Sequence, residues 1–428
     1  MSTQAISATA QPTTAVGPVS TVERIQVIDI LRGFALFGIL LVNMAFFKSS
    51  WGPEQINVNA EQSLLDRGAT LLINLLAEGK FFTLFSFLFG LGFAIQMLRA
   101  QDKGVRFVPR FLRRLLVLLL IGLIHMLLIW YGDILVSYAL IGFLLILFRN
   151  RSPRALLIWA AVLLLPQTLL TAAGISLIEI ARTTPEAAAA IAPAETEMLS
   201  QLTTTHAQDI AVYGGGSYPA IVAYRLASLP FTLIGSLVSA PTILAMFLLG
   251  LYVGKRGIVR DVMAHEAFLR RVRLWGLLLG LIVSGGVILL QQQLSLFSTF
   301  YTQFLNIALA GPLLSMGYAA TIVLLAQQET WRTRLAPLAA TGRMALTNYL
   351  LQSLIFTTIF YGYGLGFFGQ VGAATGLLLT IVIYALQIPL SAWWLRRFQF
   401  GPIEWLWRSL TYLKPQPMRV QREAVAGR

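Results

Sequence analysis

His125 and Asp133 form the pair whose residue types and spacing best suit chemistry. His125 closes the run Ile121-Gly122-Leu123-Ile124-His125, and Trp130-Tyr131-Gly132-Asp133 follows at a turn broken by glycine. A carboxylate near an imidazole fixes the ring's tautomer and raises its basicity, which is what a general base requires. The structural alternative is a histidine hydrogen-bonded between helices, with Asp133 capping the helix that begins after it. The other two histidines, His206 and His265, lie on different segments, so the sequence offers no histidine-rich metal site. A chain without cysteine has no disulfides, no thiolate metal ligands and no cysteine nucleophile.

Four further polar groups stand in or beside apolar runs. Asp29 and Arg32 are three apart, on one helical face where they can pair, and Asn43 lies ~16 Å further along the same helix. Glu78 and Lys80 precede Phe81-Phe82-Thr83-Leu84-Phe85-Ser86-Phe87, a pattern that also reads as helix packing. Asn348 and Gln352, four apart, share a face that should look into a bundle, and Arg343 stands just before them. Arg110, Arg113 and Arg114 form a basic cluster that suits phosphate groups. A bias of basic residues towards one side of a membrane explains each of these arginines equally well.

The elements that must position these residues are membrane helices. Hydrophobic residues make up 57% of the 428 and charged ones 12%, against about 25% charged in soluble domains. Apolar runs of ~20 residues, the length that crosses ~30 Å of hydrocarbon, recur along the chain. Lipid offers backbone groups no partner, so such runs must be helical. Hydropathy places spans at about 25–47, 71–98, 111–130, 134–148, 155–178, 230–254, 273–291, 304–326, 345–362 and 373–395. The fold expected is therefore an all-α, polytopic bundle of about ten spans with both termini cytoplasmic. The remaining stretches are a disordered tail over 1–23, an extracytoplasmic loop over about 179–217 and a basic tail over 413–428, outside a helical domain from 24 to 412. The segment 218–230 and the Trp- and Tyr-rich stretch from Phe400 to Tyr412 read as interfacial. With ten spans and the N-terminus inside, 27 of the 32 basic residues fall on the cytoplasmic side. The formal charge of +14 is thus the positive-inside bias and not a nucleic-acid footprint.

The sequence carries no P-loop, dinucleotide fingerprint, serine-hydrolase elbow or metal-ligand spacing. It does resemble the bacterial YeiB family. The strings that carry the likeness are IDILRGFALFGILLVN (28–43), FFTLFSFLFGLGFAIQ (81–96), IGLIHMLLIWYGDIL (121–135), GRMALTNYLLQS (342–353) and FGPIEWLWRSLTY (400–412). That family is in turn similar, at Asp29, Arg32, Gly33 and Asn43, to the transmembrane acyltransferase superfamily, which includes heparan-glucosaminide N-acetyltransferase. The resemblance implies transfer of an acyl group from cytoplasmic acyl-CoA to an acceptor across a bacterial inner membrane, often by a homodimer. In the lysosomal enzyme the catalytic histidine follows soon after the motif's asparagine. Here no histidine stands between Asn43 and His125, so that assignment does not transfer by position.

The expectation is that Arg110, Arg113, Arg114 and Arg343 hold the phosphates of acyl-CoA or acetyl-CoA, with no metal. Asp29, Arg32, Glu78, Lys80, Asn348 and Gln352 are candidates for the substrate pocket. His125, oriented by Asp133, deprotonates an acceptor hydroxyl or amine, on a small molecule or a glycan, while Asn43 or Asn348 steadies the oxyanion. The alternative is a transporter or exporter of a small amphiphile or lipid, and a third reading is a non-catalytic sensor or scaffold. Membrane lipids are expected partners in every case.

Overall fold

The computed structural model describes residues 26–50, 52 and 63–420. The tail expected over 1–23 lies outside the described residues, as does 421–428 of the basic tail. Helices follow the apolar runs, and no strand occurs among the described residues, where pairing is limited to one bridge between Phe398 and Arg419. In chain order the helices are α1 (Gln26–Lys48), α2 (Leu64–Leu76), α3 (Lys80–Asp102), α4 (Val108–Ile124), α5 (Leu135–Leu145), α6 (Pro153–Ala181), α7 (Pro185–Asp209) and α8 (Tyr218–Val238). They continue with α9 (Ala240–Lys255), α10 (Glu266–Gln291), α11 (Leu296–Leu305), α12 (Gly311–Leu325), α13 (Glu329–Arg343), α14 (Ala345–Phe360), α15 (Ala373–Leu395) and α16 (Pro402–Tyr412). Turns of π-helix extend α4 through His125–Ile129 and α7 through Ile210–Gly214, and another joins α11 to α12 at Asn306–Ala310.

Among the described residues, eight helical stretches are long and apolar enough to cross a membrane, and three shorter apolar helices accompany them. The outer faces confirm the solvent this fold is built for. On α6 alone, Ile158, Val162, Leu165, Leu169 and Leu170 are exposed, a surface that water would penalise and lipid would not.

The centre of the bundle is α1, which packs against α3, α13, α14 and α15. Glycine allows the closest of these contacts. A Cβ on Gly342 would sit on the Asp29 carbonyl oxygen, and one on Gly33 would sit on that of Leu338. Gly90 and Gly250 do the same for α3 and α9, against Phe247 and Phe87. Without a hydrophobic force between helices in lipid, close backbone approach of this kind is what dispersion attraction needs.

Four sequence expectations are refined in detail. The span over 230–254, where Pro230 and Pro241 lead one to expect a kink or break, is two helices, α8 and α9, broken at Ser239 where Pro241 opens the second, while Pro230 is accommodated inside the first. The segment read as interfacial, 218–230, is the first half of α8. The span over 71–98 is broken as well: α2 ends at Leu76 and α3 begins at Lys80, with Gly79 at φ +78° making the turn. Finally, the loop over 179–217 is mostly helix, because α6 runs on to Ala181 and α7 fills 185–209.

Candidate active site

One cavity of about 280 Å³ enters the bundle from the end where α1 starts and α16 finishes. Its arginine-rich end draws on five helices: Arg32 from α1, Arg99 from α3, Arg110 and Arg114 from α4, Arg343 from α13 and Arg408 from α16. Helix geometry explains the gathering, since α3 ends, α4 begins and α13 ends at this one level. Further in, the walls are Leu36, Ile39, Phe85, Leu88, Phe89 and Leu118, and the inner end is closed by Ile134, Leu135, Tyr138 and Tyr349.

α16 forms part of the entrance. It is amphipathic, as its Trp and Tyr content suggested, but it lies against the bundle: Trp407 Nε1 donates to the Arg114 carbonyl at 2.9 Å, and the Arg114 guanidinium stacks 3.6 Å from the Trp407 ring centre. Glu404 pins the other face of α16. Its carboxylate accepts from the backbone N–H groups of Leu346 (2.7 Å) and Thr347 (3.0 Å) and from the Thr347 hydroxyl, capping α14 at its positive end. Burial raises the Glu404 pKa above the ordinary carboxyl value, and these hydrogen bonds pull the other way.

His125 and Asp133 lie just beyond the inner wall. Asp133 Oδ2 is 2.7 Å from His125 Nδ1, with the two side chains 0% and 1% exposed. Asp133 Oδ1 accepts from the Val136 N–H at 2.7 Å, so the carboxylate both orients the ring and caps α5. With Nδ1 carrying the proton towards Asp133, Nε2 is the basic nitrogen, and it is buried without a hydrogen-bond partner. Tyr349 joins the two parts of the site, since its ring closes the cavity and stands 5.2 Å from the imidazole.

The candidate residues divide between the cavity and its surroundings. Asp29, Arg32, Arg110, Arg114 and Arg343 line the cavity, with Asp29 and Arg32 paired at 3.3 Å. Arg113 and the half-buried Asn43 are not among its lining residues. Asn348 and Gln352 do face the interior, but towards α15, where Asn348 Nδ2 bonds Ser391 at 2.9 Å and Gln352 Nε2 bonds Gln387 at 2.7 Å. Glu78 and Lys80 flank the break between α2 and α3. Lys80 is fully buried there, donating to the Asn74 carbonyl (2.8 Å) and Asn306 Oδ1 (3.1 Å). Arg99, Arg408, Trp407, Tyr138 and Tyr349 line the cavity without having been singled out in the sequence. No local spacing marks them, because they meet only when four helices, α3, α5, α14 and α16, assemble.

Comparison with known proteins places the chain among relatives of similar length. Residues 253–414 match the family model "Protein of unknown function (DUF418)". The chain is 38% identical to "Uncharacterized protein YxaH" of Bacillus subtilis over 417 residues, covering 94% of this chain and 97% of the relative. It is 31% identical to "Uncharacterized protein YeiB" of Escherichia coli over 417 residues, covering 91% and 96%. A further relative, described as an uncharacterized 39.9 kDa protein in the amylase 3'region of Bacillus acidopullulyticus, is 28% identical over 408 residues. No solved structure matches the chain.

Proposed function

The chain belongs to the YeiB-like DUF418 family of membrane proteins, and on that premise we propose that it is an acyl-CoA-dependent transmembrane acyltransferase. The observation that carries this reading is the alignment of three features along α4. Arginines open the cavity, apolar walls follow, and Tyr349 closes it against the His125–Asp133 pair. From Arg114 to His125 is eleven residues, a rise of ~16 Å. A phosphopantetheine arm, about as long as five extended residues or ~17 Å, covers that distance.

In this mechanism the diphosphate lies among Arg110, Arg114 and Arg343, and the thioester comes to rest at Tyr349. His125 Nε2 takes the proton from an acceptor hydroxyl or amine while the acceptor's lone pair attacks the thioester carbonyl. The C–S bond then breaks, and the departing thiolate recovers the proton from the imidazolium as CoA–SH. Tyr349, whose hydroxyl stands 3.4 Å from the Gly132 carbonyl, is placed to donate to the developing oxyanion. Asp133 accepts the Nδ1 hydrogen bond and steadies the imidazolium.

Ten crossings with both termini cytoplasmic fit this scheme. Two contacts bear on the count. Lys255 Nζ donates to the Arg151 carbonyl at 2.6 Å, so α9 ends beside the start of α6, and the Thr242 hydroxyl bonds Gln167, halfway along α6, at 3.0 Å. α8 and α9 therefore serve together as one crossing. The basic excess puts the arginine-rich end in the cytoplasm, where acyl-CoA is found, at an inner membrane.

Calorimetric titration of the purified protein with CoA, acetyl-CoA and longer acyl-CoAs tests the donor site. Saturable binding is expected, weakened at least tenfold by Arg114→Ala or Arg343→Ala and retained in His125→Ala. Folded protein that binds no CoA species would overturn the reading. The apolar middle of the cavity favours the transporter as the second reading. On that reading the protein moves an anionic amphiphile without altering it, and His125→Ala leaves the movement intact.

A further inference from the structure

Behind the His125 turn, at the end of α4 away from the cavity, lies a second polar cluster. Arg225 of α8 is 3% exposed and donates through Nη1 to the Leu127 carbonyl at 3.2 Å. Its Nε and Nη2 have no hydrogen-bond partner. The rings of Tyr213 and Tyr361 flank the guanidinium at 5.6 and 5.5 Å. Among the described residues no carboxylate comes within ion-pair distance of it. The nearby Asp209 accepts instead from the Tyr224 hydroxyl at 2.8 Å.

Among the described residues, five buried polar atoms without a partner collect in this region: two on Arg225, the Tyr361 hydroxyl, Trp130 Nε1 and His125 Nε2. Burying a guanidinium without a counter-charge is costly, and natural proteins retain such groups mostly where function uses them. Arg225 is also one of only five basic residues that fall outside the basic-rich end of the topology. The positive-inside bias therefore does not explain it.

The cover over Arg225 is a glycine seam. Gly362 N–H donates to the Tyr213 carbonyl at 2.7 Å, and a Cβ on Gly362 would meet Gly214, Gly215 and Gly216 at 2.8 to 3.0 Å. Gly366 and Gly369 hold φ values of +73° and +76° close by. The rings of Tyr213, Tyr361 and Phe368 pack together beside this seam at centroid distances of 4.9 to 5.6 Å, so the backbones meet closely around an aromatic floor.

We propose that Arg225, with Tyr213 and Tyr361, forms a binding site for an anionic group, a carboxylate or a phosphate, on a ligand that enters from the side opposite the cavity. The planar guanidinium suits either group, with two parallel N–H donors and aromatic faces on its flanks. If the chain is a transferase, this ligand is the acceptor, and its nucleophile then reaches His125 from the face that the thioester does not occupy. That last step rests on the acyltransferase reading; the anion site does not.

The test is calorimetric titration of the full-length protein in nanodiscs with glucuronate, glucose 6-phosphate and neutral glucose, and separately with acetyl-CoA. At least one anionic sugar is expected to bind at least tenfold more tightly than glucose. Arg225→Gln should abolish that preference and leave acetyl-CoA binding intact, and Tyr361→Phe should weaken the anion severalfold. Should Arg225→Gln not fold, the wild-type preference and Tyr361→Phe decide the matter. Equal binding of all three sugars, no binding of any, or anion binding unchanged in Arg225→Gln or in Tyr361→Phe would overturn the site. Anion binding without acetyl-CoA binding would keep the site and remove the transferase.

Discussion

At the scale of single residues, His125 and Asp133 carry the sharpest expectation. Asp133→Asn keeps an oxygen for the Val136 N–H and so preserves the cap on α5, at a cost of under about 1 kcal/mol. It removes the charge that holds the His125 proton on Nδ1. Transfer of a radiolabelled acyl group should therefore fall while thermal stability barely moves. His125→Asn should lower turnover by about 10²- to 10⁴-fold, the usual worth of a general base, with acyl-CoA affinity unchanged. Unaltered turnover in both variants would return the pair to a structural role. The pair was legible in the sequence because its members are eight residues apart on one turn. Asn348 and Gln352 were legible only in part. Their spacing gave a shared polar face, but the partner face, Gln387 and Ser391 at the same four-residue spacing on α15, was the signal that would have shown the two faces bonding each other. Arg99 and Arg408 were hidden for a different reason, since no spacing along one helix reports which ends of five helices meet.

Among elements, the crossing of α1 and α13 sets the position of the arginine entrance. Gly342 lies against the Asp29 carbonyl, one residue before Arg343 and three before Arg32 on the facing helix. Gly342→Ala must push the two backbones apart, and a drop in melting temperature with weakened acyl-CoA binding is expected. Gly285→Ala is the control. It stands inside α10 with open space around it, and alanine there should stabilise by up to about 1 kcal/mol. Equal effects of the two substitutions would show that close approach does not matter at this crossing. α16 adds a pH dependence. Glu404 binds its proton more tightly in the folded protein, because burial raises its pKa. Its contribution to stability is then greatest at low pH and declines as pH rises through and above the ordinary carboxylate range. Glu404→Gln should flatten the melting temperature as pH rises through and above the ordinary carboxylate range, and an unchanged slope would assign it to other groups. Helix breaks were harder to read than helices. Hydropathy averages over ~20 residues, so a turn at Gly79 disappears inside an apolar window; near Ser239 the prolines marked a break, and Pro241 opens α9 while Pro230 sits inside α8.

For the molecule as a whole, the question is which way the cavity opens, because a CoA donor requires the cytoplasm. Asp29 near the start of α1 and Tyr412 at the end of α16 line the same cavity. The proposed topology puts an even number of crossings between them, and the α8–α9 break is the place where a miscount would enter. If both helices crossed, Lys255 could not reach Arg151. The lack of native cysteine makes this measurable. Lys103→Cys, Ala190→Cys and Arg260→Cys each place one thiol at an exposed position. An impermeant maleimide added to intact cells should label only position 190, and positions 103 and 260 should react only after the membrane is opened. Labelling at 103 but not 190 in intact cells would invert the bundle, turn the arginines away from the cytoplasm and remove the basis for a CoA donor. Labelling of 260 together with 190 would separate α8 and α9 into two crossings and contradict the packing of α9 on α6. The two grounds divide the forecast between them: contacts between helix ends say that positions 103 and 260 lie at one end of the bundle, and the positive-inside count says that this end is the cytoplasmic one.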